Sequence, residues 1–363
     1  MWVVVILSVA VIAIFFSIQL LCLVTIFKSK RPILENDGDL PNVSILLAAR
    51  NEEALLHRCL TAIDALDYPR NKLQVLIGND DSTDATESIA KEFISNKVNF
   101  TLINIDKLHG KAKGKANVLA RLAHEASGEF FFITDVDVKL PKNWIHALLH
   151  QFTEEVGIVS GTSTCAPTNS NFSILQSIDW LHFMGYIQSF ANIGVACTSV
   201  GNNMAVRAKA YWDTGGYEHI DFSITEDYKL FKEVTDRGWQ WRTILDPDSL
   251  GLAWYIPSIK EMWHQRKRWL IGSKELPILW KSLIIIYGLF VPALIVLAIF
   301  APINALIIWL FKLIVQTIYI KALQQKVGLK SYSILSLIGY EFYVLINTVC
   351  TAVFYFAPIP SVW

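Results

Sequence analysis

Two carboxylates stand one residue apart, at Asp135 and Asp137, directly after the apolar run 130–133. The stretch 130–138, bounded by polar residues, predicts a buried central strand whose C-terminal end carries both acids. In open α/β sheets, ligands bind at the carboxyl ends of the strands. Two Asp side chains at such an end can bind a hard divalent cation, which prefers oxygen ligands and could neutralise a diphosphate. A solvated turn is the alternative interpretation of a lone Asp-x-Asp.

Polar clusters also follow the first two predicted strands. Arg50 and Glu52 come after the strand pattern 43–48, where they could contact a nucleotide or cap the next helix. The second cluster, residues 79–86, would cap a helix well, but Asp80 is not needed for that cap. A carboxylate at this strand end could accept hydrogen bonds from a base N–H or a ribose hydroxyl.

Three lysines, Lys111, Lys113 and Lys115, lie near the predicted start of a helix. The segment lacks the Walker spacing G-x-x-x-x-G-K-[ST], which excludes a P-loop. One of the three lysines is predicted to face a phosphate, and the other two are predicted to be solvated.

Two more clusters lie in the second half of the chain. Glu226 and Asp227 open a predicted helix, where acids are ordinary partners of the helix dipole. Residues 263–269 form a basic aromatic cluster. That cluster could contact phosphates, or it could lie at a membrane surface.

Strand and helix patterns alternate along the segments that carry these clusters. Predicted strands cover residues 43–48, 73–78 and 100–105, and predicted helices cover residues 53–66, 85–94 and 113–126. Strands separated by helices of this length predict an α/β fold class, with a mostly parallel sheet and helices on both faces. Such an architecture is of a nucleotide-binding type, although a fold by itself does not assign a function.

The chain as a whole is too apolar for an ordinary soluble protein. Of its 363 residues 53% are hydrophobic, and the mean hydropathy is +0.38. Residues 2–27, 282–300, 303–320 and 334–357 are long enough apolar stretches to span a bilayer. No basic residue precedes the first stretch, which favours a retained anchor over a cleaved signal peptide. The predicted division is therefore an anchor (1–27), a catalytic domain (41–272) and C-terminal membrane helices (282–357).

The charged residues predict an orientation and exclude one class of partner. Lys28, Lys30 and Arg31 follow the first apolar stretch, and three lysines lie in the loop 321–330. The positive-inside rule then places the domain and this loop in the cytoplasm and the C-terminus outside. Lys+Arg and Asp+Glu number 32 each, a balance that argues against a nucleic-acid partner.

Two charges, Lys312 and Glu341, interrupt the last two apolar stretches at similar depth. Isolated charges in lipid are costly. We therefore expect that they pair with each other, or that both face a cavity that accepts a lipid headgroup.

Taken in order along residues 41–272, these clusters resemble the family 2 glycosyltransferases and the closely similar ceramide glucosyltransferases, which are membrane enzymes with a GT-A catalytic domain. Each motif is weak alone, but the ordered set is specific. The resemblance is carried by Asp80, the Asp-x-Asp of Asp135 and Asp137, Asp227 in a Thr-Glu-Asp, and the Gln-x-x-Arg-Trp of Gln265, Arg268 and Trp269.

The sequence departs from the family pattern in two places. The common Asp-Asp-Gly-Ser is Asn79-Asp80-Asp81-Ser82 here, so Asp80 keeps the matching position and Asp81 replaces the Gly. The family's Gly-Lys motif aligns with Gly114-Lys115 or with Gly110-Lys111. The phosphate-facing lysine is therefore Lys115 or Lys111.

The resemblance implies how a nucleotide-sugar donor would be bound. Asp80 would bind the uracil or the ribose, with Arg50 and Glu52 nearby. Asp135 and Asp137 would hold Mg²⁺ or Mn²⁺ bridging the diphosphate, so that charge developing on the leaving group is stabilised.

The resemblance also implies the groups that act on the acceptor. Asp227 would be the general base that takes the acceptor hydroxyl proton, giving inversion in one displacement. Gln265, Arg268 and Trp269 would close over the diphosphate and the acceptor entrance. Arg suits phosphate oxygens because it binds them with two N–H groups, and Trp offers a face to a sugar or a lipid.

The leading hypothesis is an inverting glycosyltransferase that moves a sugar from a nucleotide-sugar donor, most simply a UDP-sugar, to a membrane lipid acceptor at the cytoplasmic face. The alternative is a processive polysaccharide synthase of the cellulose, hyaluronan or poly-N-acetylglucosamine type, since these enzymes also carry Gln-x-x-Arg-Trp. Four spans are few for a polysaccharide channel, which favours single addition. A membrane scaffold with a degenerate transferase domain is the third hypothesis, and the presence of all the expected acids argues against it.

Overall fold

The computed structural model describes residues 2–28 and 39–356, without the side chains of residues 354–356. Lys30 and Arg31 of the predicted basic flank, Met1 of the predicted anchor and Ala357 of the last predicted span lie outside the described residues. The described chain divides into two compact units. The sheet unit consists of residues 39–165 and 198–254, and the helical unit consists of residues 2–28, 166–197 and 255–356.

The strands all lie in the sheet unit. In chain order they are β1 (Val43–Ala49), β2 (Leu73–Asn79), β3 (Phe100–Asn104), β4 (Phe130–Asp135), β5 (Val138–Lys139), β6 (Val156–Ser160), β7 (Thr162–Cys165), β8 (Asn203–Arg207), β9 (Gln240–Thr243) and β10 (Leu250–Ala253). The main sheet has the order β3-β2-β1-β4-β8-β6-β9, and a smaller sheet has the order β5-β10-β7.

Both units contain helices. In chain order they are α1 (Trp2–Thr25), α2 (Leu56–Asp64), α3 (Thr86–Ile94), α4 (Lys115–Glu125), α5 (Trp144–Leu149), α6 (Asn171–Ala191), α7 (Ala208–Asp213), α8 (Glu226–Asp236), α9 (Ile259–Gly272), α10 (Ile278–Phe300), α11 (Pro302–Lys326) and α12 (Ile334–Phe356). Helices α2 to α5, α7 and α8 belong to the sheet unit, and the others belong to the helical unit. The alternation predicted for the first half of the sheet unit is confirmed, with element ends shifted by up to three residues.

One side of the main sheet, from the edge strand β3 to β4, is parallel, and the sheet is mostly parallel as predicted. β4 pairs in parallel with β1, which pairs in parallel with β2, and β2 pairs in parallel with β3. The side chains of β4 are buried from Phe130 to Thr134, which explains its apolar sequence. The other neighbour of β4 is the antiparallel strand β8, with Thr134 opposite Asn203. The residues that precede β8 therefore lie beside the end of β4 that carries Asp135.

The predicted central strand is shorter in the structure. β4 ends at Asp135, the chain turns at Val136 and Asp137, and β5 begins at Val138. β5 pairs antiparallel with β10 in the smaller sheet, which draws it away from the main sheet. The two acids of the Asp-x-Asp therefore lie at the end of one strand and in the turn after it.

Among the described residues, four helical stretches are long and apolar enough to cross a membrane: Trp2–Lys28, Ile278–Phe300, Pro302–Lys326 and Ile334–Val353. They coincide with the four apolar stretches of the sequence. Three of them, α1, α10 and α11, share an apolar core that contains Phe15 of α1 and Phe290 of α10, whose ring centroids are 4.2 Å apart. The prediction of one N-terminal and three C-terminal spanning helices therefore agrees with the helices that form.

Helix α6, which the sequence did not single out, packs among these helices. The hydroxyl groups of Ser189 in α6 and Tyr319 in α11 are 2.8 Å apart. A Cβ atom on Gly185 would come within 2.5 Å of Leu323, so glycine permits α6 and α11 to lie this close. Residues 166–197 therefore belong to the helical unit, whereas the predicted domain ran continuously from 41 to 272. The predicted three-part division stays a prediction.

The predicted pairing of the two intramembrane charges is confirmed. The Lys312 ammonium lies 2.5 Å from the Glu341 carboxylate, and both side chains are buried. The Gln316 side chain donates to the other carboxylate oxygen, also over 2.5 Å. This pairing removes the cost of an isolated charge in the apolar interior.

Candidate active site

The end of β4 and the start of α8 are joined by one lysine. The Lys115 ammonium lies 2.5 Å from Asp135 and 3.2 Å from Glu226. Lys115 is the first residue of α4, and its side chain is only 16% exposed. The two carboxylates raise the pKa of Lys115 against the effect of burial, so the ammonium stays charged. Residues from three separate elements thus form one charged cluster.

Asp137 lies in the turn after β4 and is poorly satisfied by its surroundings. Its Oδ1 atom is buried and has no hydrogen-bond partner among the described residues. Burial, and then the Asp135 and Glu52 carboxylates, raise the pKa of Asp137 to about 7. A buried carboxylate oxygen without a donor is a group that a bound cation would satisfy.

The acids fit a divalent cation that is shared with a ligand. No three His, Cys, Asp or Glu side chains of the described residues converge as a complete metal site. Asp135 and Asp137 offer hard oxygen atoms, and a bridging cation completes its shell with substrate phosphates and water in many phosphate-binding sites. The donor set therefore suits Mg²⁺ or Mn²⁺ together with a diphosphate.

Asp227 lies in the first turn of α8 and is fixed through both of its oxygens. Oδ2 accepts the Gly201 N–H over 2.8 Å, and Oδ1 accepts the Tyr228 N–H over 2.7 Å. Burial, and then the neighbouring Glu226, raise the pKa of Asp227 to about 6. A carboxylate held in one orientation with a pKa near neutrality suits a general base.

The first two strand ends also meet, as the parallel sheet requires. An Arg50 N–H donates to Asp80 over 3.1 Å, and Asp80 is the more buried of the two. Glu52 lies nearby, where burial and then Asp135 raise its pKa to about 7. Asp81, which stands where the family has Gly, has a φ of +52°. Asp tolerates this left-handed conformation better than most residues, so the loop keeps the shape that Gly would permit.

The two candidate lysines occupy different environments. Lys111 pairs with Asp221 over 2.7 Å, and both side chains are largely exposed. Lys115 instead reaches the acids at the end of β4. The structure therefore places Lys115, and not Lys111, beside the Asp-x-Asp.

The Gln-x-x-Arg-Trp motif lies on α9 of the helical unit. Trp269 packs edge to face on Trp180 of α6, with ring centroids 5.3 Å apart, and Arg266 lies over the Trp269 ring at 4.6 Å. Gln265 is half-buried and Arg268 is exposed. Within the helical unit the motif thus combines an aromatic pair with an accessible guanidinium group.

Three further residues of the site were not predicted. The sequence predicts Glu226 only as an acid at the start of a helix, although its position next to Asp227 also indicates that it lies in the site. Gly201 contributes a main-chain N–H, and Arg58 of α2 donates to the Asp137 carbonyl over 3.0 Å. The sequence contains no signal for these two contacts, because each joins segments that are distant along the chain.

Comparison with known proteins agrees with the sequence resemblance. Residues 4–358 match the sequence model of the family described as glycosyl transferase family 21. The chain is 28% identical over 255 residues to beta-monoglucosyldiacylglycerol synthase of Nostoc sp. strain PCC 7120, over 66% of this chain and 51% of that protein. It is 24% identical over 257 residues to poly-beta-1,6-N-acetyl-D-glucosamine synthase of Staphylococcus aureus strain COL, over 68% of this chain and 58% of that protein. The chain thus spans only a little over half the length of these curated relatives.

The fold is similar to that of a solved enzyme. Mannosyltransferase PcManGT from Pyrobaculum calidifontis, in complex with GDP-Man and Mn²⁺, superposes with a TM-score of 0.61 and 18% sequence identity. The match covers 97% of this chain and 98% of that one. The predicted GT-A fold is confirmed.

Proposed function

Because the chain belongs to glycosyl transferase family 21, we propose that this glycosyltransferase moves a sugar from a nucleotide-sugar donor, most simply a UDP-sugar, to a membrane lipid acceptor, with inversion at the anomeric carbon. The observation that carries the proposal is the Lys115 ammonium between Asp135 and Glu226, at 2.5 and 3.2 Å. This lysine connects Asp135, which is suited to a metal ion bound to a diphosphate, with the start of α8, which carries Asp227.

The sugar donor is bound in three parts. Arg50, Glu52 and Asp80 bind the base and the ribose at the ends of β1 and β2. Asp135 and Asp137 hold Mg²⁺ or Mn²⁺, which stabilises negative charge on the leaving diphosphate when bound. Lys115 then exchanges its contact with Asp135 for a phosphate oxygen, since its charge suits either partner.

The acceptor is activated by Asp227. Its carboxylate takes the hydroxyl proton of the acceptor while that oxygen attacks the anomeric carbon and the nucleoside diphosphate departs. The two main-chain N–H groups that hold Asp227 fix the direction of this proton transfer. One displacement inverts the anomeric configuration.

The helical unit supplies the lipid side of the reaction. Its spanning helices keep the protein in the bilayer that contains the acceptor, and Gln265, Arg268 and Trp269 of α9 close over the diphosphate and the acceptor entrance. The catalytic domain, residues 41–272 of the proposed three-part division, faces the cytoplasm, where the lysines of the loop 321–330 also lie. The glucosyldiacylglycerol synthase of Nostoc supports a lipid as the acceptor.

A processive synthase is the second candidate. The specific observation in its favour is the similarity to the staphylococcal poly-beta-1,6-N-acetyl-D-glucosamine synthase. The two candidates differ in the length of their product, because single addition yields a glycolipid and processive addition yields a polymer.

The test is nucleotide release from a panel of UDP- and GDP-sugars. Purified protein in lipid is assayed with Mn²⁺ or Mg²⁺, with and without added diacylglycerol, and the products are sized by mass spectrometry. Metal-dependent release of one nucleotide together with a glycolipid of one added sugar supports the proposal. A polymer product would favour the second candidate, and no release from any sugar donor would contradict both.

A further inference from the structure

Arg58 of the sheet unit donates a hydrogen bond to the main chain of Asp137, the second acid of the Asp-x-Asp. Arg58 projects from the first turn of α2 and is half-buried. One of its guanidinium nitrogens donates to the Asp137 carbonyl over 3.0 Å, and the other donates to the Leu252 carbonyl of β10 over 3.1 Å. A planar guanidinium group presents its N–H groups in a rigid fork and so fixes the positions of the two acceptors, whereas a lysine offers a single nitrogen on a flexible chain.

The Asp137 carbonyl is held from a second side as well. It also accepts the Trp254 N–H over 2.8 Å. The Arg58 guanidinium lies 5.2 Å from the centroid of the Trp254 ring, so the two residues that donate to this carbonyl also contact each other. Asp137 is therefore clamped by its main chain between α2 and the residue that follows β10.

This clamp matters because little else orients the Asp137 side chain. Its Oδ1 atom is buried without a hydrogen-bond partner among the described residues, whereas Asp227 has both oxygens fixed by N–H groups. The direction of the Asp137 carboxylate thus depends on how its main chain is held. The residues that hold a metal ligand commonly set the affinity of the site.

We propose that Arg58 is a positioning residue of the metal site, which holds Asp137 in place for the divalent cation through the Asp137 carbonyl. The inference rests on the proposed function, in which Asp135 and Asp137 hold that cation. The positive charge of Arg58 also favours the ionised Asp137 carboxylate, against the negative charges of Asp135 and Glu52.

The experiment measures Mn²⁺ binding to the purified full-length protein by the electron paramagnetic resonance signal of free Mn²⁺, with saturating UDP or GDP. Arg58→Gln removes the charge and the two-pronged contact, and Arg58→Lys keeps the charge alone. Both variants are expected to bind Mn²⁺ about tenfold or more weakly. Binding of the nucleotide in EDTA should be unchanged.

Arg70→Gln is the matched control, because Arg70 likewise donates two hydrogen bonds, to the carboxylate and the main-chain carbonyl of Asp64 at the other end of α2. Its Mn²⁺ affinity should equal that of the wild type. Thermal unfolding of each variant shows whether it is folded, and Arg58→Lys keeps the experiment informative if Arg58→Gln is not.

The outcomes separate the role of Arg58 from the existence of the proposed metal site. Wild-type Mn²⁺ affinity in folded Arg58→Lys and Arg58→Gln would overturn the role of Arg58 and leave the proposed metal site intact. Absence of nucleotide-dependent Mn²⁺ binding in the wild type would instead contradict the proposed metal site itself. Weaker binding in both Arg58 variants, with turnover restored by added Mn²⁺, is the expected result.

Discussion

The main-chain N–H of Gly201 donates a hydrogen bond of 2.8 Å to the Asp227 carboxylate. The contact leaves no room for a side chain, because a Cβ atom on Gly201 would lie 2.9 Å from the Cβ of Asp227. Gly201→Ala should therefore displace the proposed base and lower kcat by about a hundredfold, since small misplacements of catalytic groups have effects of this size. Steady-state nucleotide release measures the change.

Gly288→Ala is the control for that substitution, because no atom of the described residues lies within 4 Å of a Cβ atom at Gly288. Its kcat should match the wild type. A Gly201→Ala protein with full activity would show that the position of Asp227 is not critical.

Asp227→Asn should remove the proposed general base with little effect on sugar-donor binding. We expect kcat to fall by about a thousandfold, the usual scale for loss of a positioned base. The affinity for the nucleotide-sugar, measured by calorimetry, should stay close to the wild-type value. Turnover that survives the substitution would assign the proton transfer to another group.

The pH dependence of the reaction follows from the raised pKa of Asp227. Burial and Glu226 raise this pKa from 3.8 to about 6, so kcat/KM should fall tenfold per pH unit below about pH 6. The measurement is a pH profile at saturating metal. A rate that stays constant between pH 5 and pH 7 would contradict the assignment of Asp227 as the base.

The same raised pKa affects stability. The folded state binds this proton more tightly than the unfolded state, so the contribution of Asp227 to stability is full below pH 3.8 and is lost as the pH rises through about 6. The wild type should therefore lose more thermal stability than Asp227→Asn when the pH is raised from 5 to 8, because the asparagine does not ionise. Unfolding temperatures at the two pH values test this, and a variant that becomes relatively less stable at the higher pH would contradict it.

The two lysines of the Gly-Lys alternatives should behave differently. Lys115→Met removes a buried charge next to Asp135 and should weaken sugar-donor binding by about tenfold or more, the scale for a lost bond to a charged group. Lys111→Met breaks only an exposed pair with Asp221, so its effect should be within about twofold. Binding isotherms for both variants provide the comparison. Equal effects would remove the distinction drawn between the two positions.

The Lys312–Glu341 pair of the helical unit should affect the stability of the protein and not its catalytic chemistry. Lys312→Glu or Glu341→Lys alone places two like charges together in a buried site, at a cost of about 3–5 kcal/mol. The double exchange Lys312→Glu with Glu341→Lys restores an opposite pair and should recover most of the lost stability. Yield and unfolding temperature in detergent report both effects, and no recovery in the double variant would show that the attraction between the two charges does not account for the lost stability.

The parts of the molecule that follow local rules could be predicted from sequence. The apolar run before Asp135 forms the buried strand β4, and the long apolar stretches form helices, because hydrophobic patterning dominates in both cases. The turn that separates Asp137 from the end of β4 could not be predicted, because the pairing of Val138 with β10 is a long-range contact. The same limit applies to Arg58 and Gly201, whose partners lie 79 and 26 residues away in the chain. The family resemblance supplied an ordered set of motif positions, which hydrophobic periodicity alone does not supply.

The interleaving of the two units determines how a soluble piece of this protein could be made. Residues 166–197 belong to the helical unit, but the residues before and after them belong to the sheet unit. A fragment trimmed only at its ends, residues 39–254, would keep α6 without α1 and α11, and would expose the surface around Gly185 and Ser189 that these helices cover. Such a fragment is expected to aggregate. Crystallisation of the sheet unit alone therefore calls for an internal deletion that joins Cys165 to Thr198 through a short linker.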